Sequence, residues 1–266
     1  MSPHARYFLE VSYDGTAFHG SQLQGETPTV QKAINDALAT LFRTPVDTFG
    51  ASRTDEGVHA LSNFYHFDAP APLSPSFQYQ INAILPDALA LQKLHRSLAP
   101  DFNARFGAVS RRYRYRIYHR KNPFSRGRAH YFPYRIKEET LHEMAAVLLT
   151  YTDFTSFAKR NAQTRTNLCS VDTARWERVA GREDSVDELH FVVEANRFLR
   201  GMVRGLVGTQ LVLARRGLGA AALREILDAQ DCTKARFDVP GFGLYLEEVR
   251  YPSGTLEPVF DSRRHD

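Results

Sequence analysis

The sequence predicts an α+β protein made of two successive α+β halves. Three observations predict it. Segments of period-two and helical apolar spacing alternate as roughly β-α-β-β-α-β between Tyr7 and Leu94. The same theme then recurs with longer parts up to Arg250, and no low-complexity linker interrupts it. Successive units of this kind suggest sheets joined side by side with helices on one face, although the elements alone fit two separate domains equally well. The Ala99-Pro100-Asp101 turn is the expected boundary, giving residues 1–101 and 102–266.

In the first half, Tyr7, Leu9, Val11 and Tyr13 alternate with Phe8, Glu10 and Ser12, as a half-buried strand requires, and Asp14-Gly15 ends it. Val30, Ala33, Ile34, Ala37, Leu38 and Leu41 recur at helical spacing behind Thr29, whose hydroxyl suits an N-cap. Strand-like stretches at Val46–Ala51 and Asn63–Phe67 flank a polar loop. A helix opens near Ser76, and a strand covers Ala88–Leu94.

In the second half, Arg111–Tyr118 reads as a strand with Tyr113, Tyr115 and Ile117 on one face and Arg112, Arg114 and Arg116 on the other. A helix is expected over Glu138–Leu149, and strands over Val171–Val179 and Glu188–Ala195. The apolar run from Phe198 to Ala214 is expected to be a helix whose Gly201, Gly205 and Gly208 permit close packing. A further helix, Ala220–Ala229, and a closing strand, Gly243–Arg250, complete the half.

Composition narrows the function classes. No apolar run is long enough to span a membrane, and the start does not read as a signal peptide, so a cytoplasmic protein is expected. Two cysteines, Cys169 and Cys232, supply neither a disulfide framework nor a paired-cysteine metal motif, so no metal and no cofactor are expected. The net charge of +4 is mild, but its distribution is uneven. Phe102–Ile136 contains no acid and carries Arg105, Arg111, Arg112, Arg114, Arg116, Arg120, Lys121, Arg126, Arg128 and Arg135. Ala195–Leu223 is also free of acids and carries five arginines. Two such clusters, with Tyr113, Tyr115 and Tyr118 interleaved, favour phosphate binding and base stacking over a merely solvated basic face.

The flanked polar loop is Ser52-Arg53-Thr54-Asp55-Glu56-Gly57-Val58-His59-Ala60. A loop carried on a sheet commonly presents reactive groups. Arg53 beside Asp55 would hold that carboxyl ionised, ready as nucleophile or base. By spacing alone Asp55 fits a turn carboxylate that satisfies backbone donors at least as well.

The loop resembles the catalytic signature of the TruA-type tRNA pseudouridine synthases. Other segments resemble that family in the same order: Tyr13–Gly20, Thr29-Val30-Gln31, Asn103–Phe106, Arg111–Tyr115, Asp153–Phe157, Met202-Val203-Arg204 and Gly243–Leu246. The resemblance runs from about Tyr7 to Tyr251. It implies two ferredoxin-like (RRM-like) halves sharing a mixed, mainly antiparallel sheet, helices on one face and a central RNA-binding cleft. The implied reaction isomerises uridine to its C-glycoside in tRNA, at positions 38 to 40 of the anticodon stem-loop. It implies a homodimer acting without a cofactor.

Carried over residue by residue, the resemblance makes Asp55 the essential carboxylate, attacking C1′ or removing a proton from C2′. Tyr113 stacks on the target base and is a candidate to relay the C5 proton. Arg204 pairs with the catalytic carboxylate, and Leu244 is the apolar floor. Arg53 fills the space that the extruded uridine leaves. Arg111, Arg112 and Arg114 are expected to hold RNA phosphates. The chain departs from the family pattern at Ser21, Ser52 and Glu56, where tryptophan, glycine and a small residue are usual. The competing readings are an RNA-binding or chaperone protein without chemistry on the same scaffold, and a family enzyme redirected to another RNA. The retained Arg53-Thr54-Asp55 set favours the enzyme, because simple RNA binding has no use for a carboxylate facing phosphate.

Overall fold

The computed structural model describes residues 5–159, 165–181 and 186–259. It is α+β, with mixed, mostly antiparallel strands, and it divides into two compact units. The first comprises Met1–Val109 and Leu246–Asp266, the second Ser110–Tyr245.

The first unit opens with β1 (Arg6–Tyr13), α1 (Val30–Phe42), β2 (Phe49–Gly50), β3 (His59–Asp68), α2 (Phe77–Asn82) and β4 (Leu89–Ser97). Its strand order is β4-β1-β3-β2, antiparallel throughout, with Leu9 opposite both Tyr65 and Leu94. The helices cover an apolar layer in which Leu9, Ile34, Leu38, Tyr65, Phe67, Ile81 and Leu94 are all but inaccessible. α1 begins where the sequence places it, because Thr29 Oγ1 accepts the Lys32 N–H at 3.2 Å. A cap of this type is worth about 1 kcal/mol. The segment Val46–Ala51, expected as a full strand, pairs only at Phe49–Gly50.

The second unit contains β5 (Ser110–Tyr118), β6 (His130–Tyr131), α3 (Glu138–Leu148), β7 (Val171–Val179), β8 (Glu188–Ala195), α4 (Met202–Arg215) and α5 (Ala220–Asp228). β5, β8 and β7 are antiparallel neighbours in that order, whereas the short β6 runs parallel to β5. Tyr113, Tyr115 and Ile117 are buried and the arginines between them half-exposed, as the alternation predicts. α4 starts later than its apolar run, after Gly201 at φ +73°, a conformation that a side chain would strain. Within α4, a Cβ on Gly208 would stand 2.5 Å from the Arg236 carbonyl oxygen, so the helix packs there through bare backbone. The indole N–H of Trp176 on β7 donates to Gln210 Oε1 of α4 at 3.0 Å, which satisfies two buried polar groups together.

The chain leaves the second unit along β9 (Leu244–Arg250) and ends, within the described residues, at β10 (Leu256–Pro258), which pairs with β4. The boundary expected at Asp101 therefore moves to Val109, and the C-terminal strands return to the first unit. Side-chain packing explains the shift. Phe102 packs on Phe8 and Tyr251 at ring separations of 5.7 and 5.6 Å, and the Tyr251 hydroxyl donates to the Ala104 carbonyl at 2.7 Å. No proline or glycine signal in the sequence reports a contact made across so long a separation. Among the described residues no helix is long and apolar enough to cross a membrane.

Candidate active site

In the first unit, the loop between β2 and β3 is held from beneath by residues distant in sequence. The Ser21 N–H donates to the Thr54 carbonyl at 3.0 Å, and the Thr54 N–H donates to Ser21 Oγ at 2.8 Å. Thr54 Oγ1 lies 2.9 Å from the Tyr13 hydroxyl, which accepts Asn63 Nδ2–H at 3.2 Å. Asn63 also donates to the Ser52 carbonyl at 3.0 Å. Tyr13, Ser21, Thr54 and Asn63 are all buried, so each unmade bond would leave a desolvated polar group. Burial pushes the Tyr13 phenol up to about 12, against the hydrogen bonds from Thr54 and Asn63, and keeps it neutral.

Of the residues flanking the fixed Thr54, Arg53 is exposed and Asp55 half-buried. The loop then turns back, the Val58 N–H donating to the Asp55 carbonyl at 3.2 Å and Gly57 adopting φ +76°. The turn after β1 docks against it so closely that a Cβ on Gly15 would stand 2.0 Å from the Val58 carbonyl oxygen. This contact explains why Tyr13–Gly20 and Ser52–Ala60 form one constellation. His59, the loop histidine, is buried, and its Nδ1 lies 3.2 Å from both the Gly15 amide nitrogen and Asp14 Oδ1, so it ties the loop to the turn after β1. Glu56 is exposed and lies 3.3 Å from His19.

The second unit carries the other candidates. Tyr113, in the middle of β5, is 7 % exposed, and its ring meets Phe198 edge-on at 5.1 Å. Arg204, in the first turn of α4, is half-buried and donates through Nε to the Val239 carbonyl at 2.9 Å and through Nη2 to that of Phe237 at 3.4 Å. Its charge acts on the buried Tyr115 phenol, whose pKa is raised by burial in spite of that cation. Tyr115 donates to the Pro240 carbonyl at 2.9 Å. A Cβ on Gly243 would lie 2.6 Å from the Tyr115 ring, so only glycine fits in front of Leu244, which is itself buried. The 237–244 segment thus gathers Arg204, Tyr115 and Leu244 in one neighbourhood.

The arginines of β5 have partners that the sequence does not disclose. Arg112 donates through Nε and Nη2 to Glu194 Oε2 at 3.0 and 2.8 Å, and Ser110 donates to Glu194 Oε1. Arg114 reaches Glu177 at 3.0 Å and His190 Nδ1 at 3.0 Å. Arg116 takes both oxygens of Glu188, at 2.7 and 3.0 Å, and lies over the Tyr245 ring at 5.2 Å. Arg111 instead donates to the Asn196 carbonyl at 2.9 Å. The row is close to electroneutral, and a phosphate would compete with a carboxylate for Arg112 or Arg114. The interleaved Tyr115 and Tyr118 are buried.

Sequence reasoning missed Ser21, Asn63 and Glu194 as supports. Glu194 had one legible signal, an acid directly after the apolar run Phe191-Val192-Val193, which asks for a cation opposite. Ser21 and Asn63 had none, because their partners are set by tertiary contact. Among the described residues no group of three or more His, Cys, Asp or Glu side chains is placed to hold a metal ion.

A family profile described as tRNA pseudouridine synthase matches residues 144–252. The chain is similar over nearly its full length to proteins named tRNA pseudouridine synthase A. That of Parabacteroides distasonis is 40% identical over 96% of this chain and 99% of its own. That of Bacillus subtilis is 34% identical over 91% of this chain and 97% of its own. That of Shigella boydii is 36% identical over 92% and 89% respectively.

Proposed function

The chain belongs to the tRNA pseudouridine synthase A family and isomerises uridine to pseudouridine in tRNA; on that premise we propose that Asp55 is the essential carboxylate and uridines 38 to 40 of the anticodon stem-loop its targets. The observation that carries the assignment of Asp55 is the buried support of Thr54, which fixes the backbone between an exposed arginine and a half-buried carboxylate. A reacting group needs a supporting shell of this kind to hold it in register.

The reaction breaks the bond from C1′ to N1, turns the detached uracil, joins C5 to C1′ and transfers the C5 proton, so that atoms balance without an oxidant or reductant. Asp55 either attacks C1′ or takes the C2′ proton. Tyr113 provides the face against which the base turns and, through its hydroxyl, a relay for the C5 proton. Arg204 serves as counter-charge to the Asp55 carboxylate. Its half-buried guanidinium is held at the start of α4 by the Val239 and Phe237 carbonyls. Leu244 closes the floor and limits the water that would trap an opened sugar. Arg53 enters the stack as the uridine leaves it, its planar cation replacing a base and contacting phosphate. Arg111, Arg112 and Arg114 contact phosphate, and for Arg112 and Arg114 that exchanges a carboxylate for it.

The same reading divides the labour between an N-terminal half with the Asp55 loop and a C-terminal half with Tyr113 and Arg204, each ferredoxin-like. The antiparallel order β4-β1-β3-β2 with two helices in the first unit supports that description. A tRNA substrate gives the protein a cytoplasmic place of work. The deciding experiment maps pseudouridine in tRNA incubated with purified wild type and with Asp55→Asn. The near-isosteric variant is expected to bind tRNA and form no pseudouridine; turnover by it would remove Asp55 from this role, and binding without product by the wild type would favour a non-catalytic RNA binder.

A further inference from the structure

The acid-free run does hold an exposed aromatic among uncommitted cations, but it lies beyond the strand on which the tyrosines stand. Phe124 is 79 % exposed. It is carried on a single turn, Pro123–Ser125, whose conformation is fixed at several points. Asn122, buried, accepts the Phe124 N–H on its side chain at 2.9 Å, and Pro123 fixes the first backbone angle. Ser125 and Ala129 are buried on the inner side, and the Ser125 carbonyl accepts the N–H groups of both Arg128 and Ala129 at 3.1 Å. The Tyr245 hydroxyl donates to the Arg128 carbonyl at 2.7 Å and ties the far end of the turn to the unit. The phenyl ring is therefore presented to solvent by a rigid support rather than by a slack loop.

Its surroundings are cationic. Arg120, Lys121 and Arg126 are exposed, and among the described residues their side chains form no ion pair. This separates them from Arg112, Arg114 and Arg116, which carboxylates neutralise. Exposing a large apolar ring costs solvation free energy, and surrounding it with like charges opposes burial against a second copy of the same surface, since each copy would add its own cations to the contact. A polyanion that also offers flat apolar rings meets both conditions.

We propose that the 120–128 turn is a second RNA-contact element, in which Phe124 stacks on an unpaired nucleobase of the tRNA and Arg120, Lys121 and Arg126 hold the phosphates beside it. The proposal rests on tRNA being the substrate, and it adds a contact outside the residues assigned to the reaction. Stacking on a rigid aromatic is indifferent to base identity, so the turn contributes affinity and placement more than sequence choice.

The test titrates labelled tRNA with the full chain as wild type, Phe124→Ala, Phe124→Trp and Lys121→Ala over a series of salt concentrations. Single-turnover pseudouridine formation at saturating protein and sedimentation are measured in parallel. Phe124→Ala is expected to weaken binding about tenfold and Phe124→Trp to retain it, with the saturated rate unchanged in both. Lys121→Ala should lower the slope of log affinity against log salt by about one. Equal affinity of wild type and Phe124→Ala would overturn the proposal. So would an affinity loss that appears only together with dissociation of the protein into smaller species, which would make Phe124 a contact between copies. A wild type that binds tRNA without modifying it would sink the catalytic reading alone, and the comparison of affinities would still decide the role of Phe124.

Discussion

Ser21 and Thr54 grip each other at two points, the N–H of each donating to an oxygen of the other, at 3.0 Å to the Thr54 carbonyl and 2.8 Å to the Ser21 hydroxyl. Thr54 directly precedes Asp55, so the register of the proposed catalytic carboxylate is set by a residue on the turn after β1. The hydroxyl stands where the family usually carries tryptophan. In this chain a polar anchor therefore occupies a place where bulk packing would otherwise be expected.

Ser21→Ala removes the acceptor and leaves the buried Thr54 N–H without its partner. A loss of about 1–3 kcal/mol is expected, and melting should fall by several degrees. If the hydroxyl also positions Asp55, kcat drops severalfold while KM stays close to wild type, and Ser21→Thr recovers part of the rate. A lower melting temperature with an unchanged kcat would limit Ser21 to a structural role.

Tyr113→Phe keeps the ring that meets Phe198 edge-on and deletes only the hydroxyl. tRNA affinity and melting should persist, while pseudouridine formation slows by about tenfold or more if the hydroxyl relays the C5 proton. Quenched single-turnover samples should then accumulate a species cleaved at the glycosidic bond. A wild-type rate would leave Tyr113 as a stacking wall only.

His66 gives the fold a pH dependence. Burial, with the nearby Arg6 charge, pushes its pKa down to about 4. Its Nδ1 accepts the Ala104 N–H at 3.2 Å, so a proton there would set donor against donor. The unfolded chain binds that proton from about pH 6.5 downward and the folded chain resists it, so stability falls as pH drops from about 6.5 to about 4. Allowing for partial solvent screening, this contributes about 1–2 kcal/mol. Urea midpoints measured across that range should fall more steeply for wild type than for His66→Gln, and parallel curves would assign the acid sensitivity to other groups.

The homodimer remains a prediction carried by the family resemblance and by charge. A second copy would extend the basic track available to a tRNA arm, and a closed two-fold pair is the commonest assembly. Sedimentation at micromolar concentration should give twice the chain mass. A fully active monomer would refute the dimer and leave Asp55 untouched.

Local regularities in the sequence set most of the elements. Alternation placed β1 and β5, helical spacing behind Thr29 placed α1, and β7 and β8 begin and end where the sequence puts them, because a side chain's burial follows from its own position in a strand or helix. The loop motif singled out Asp55 for the same reason, being contiguous. Tertiary structure alone decided what depends on residues far apart in the chain. It set Ser21, Tyr13 and Asn63 under Thr54, gave Arg112 and Arg116 their carboxylates from β8, buried Tyr115 and Tyr118, and returned the last strands to the first unit. The physical reason is that a hydrogen bond or ion pair is a property of two residues and the geometry between them. A residue type advertises that it needs a partner, but only the folded backbone selects which one it meets.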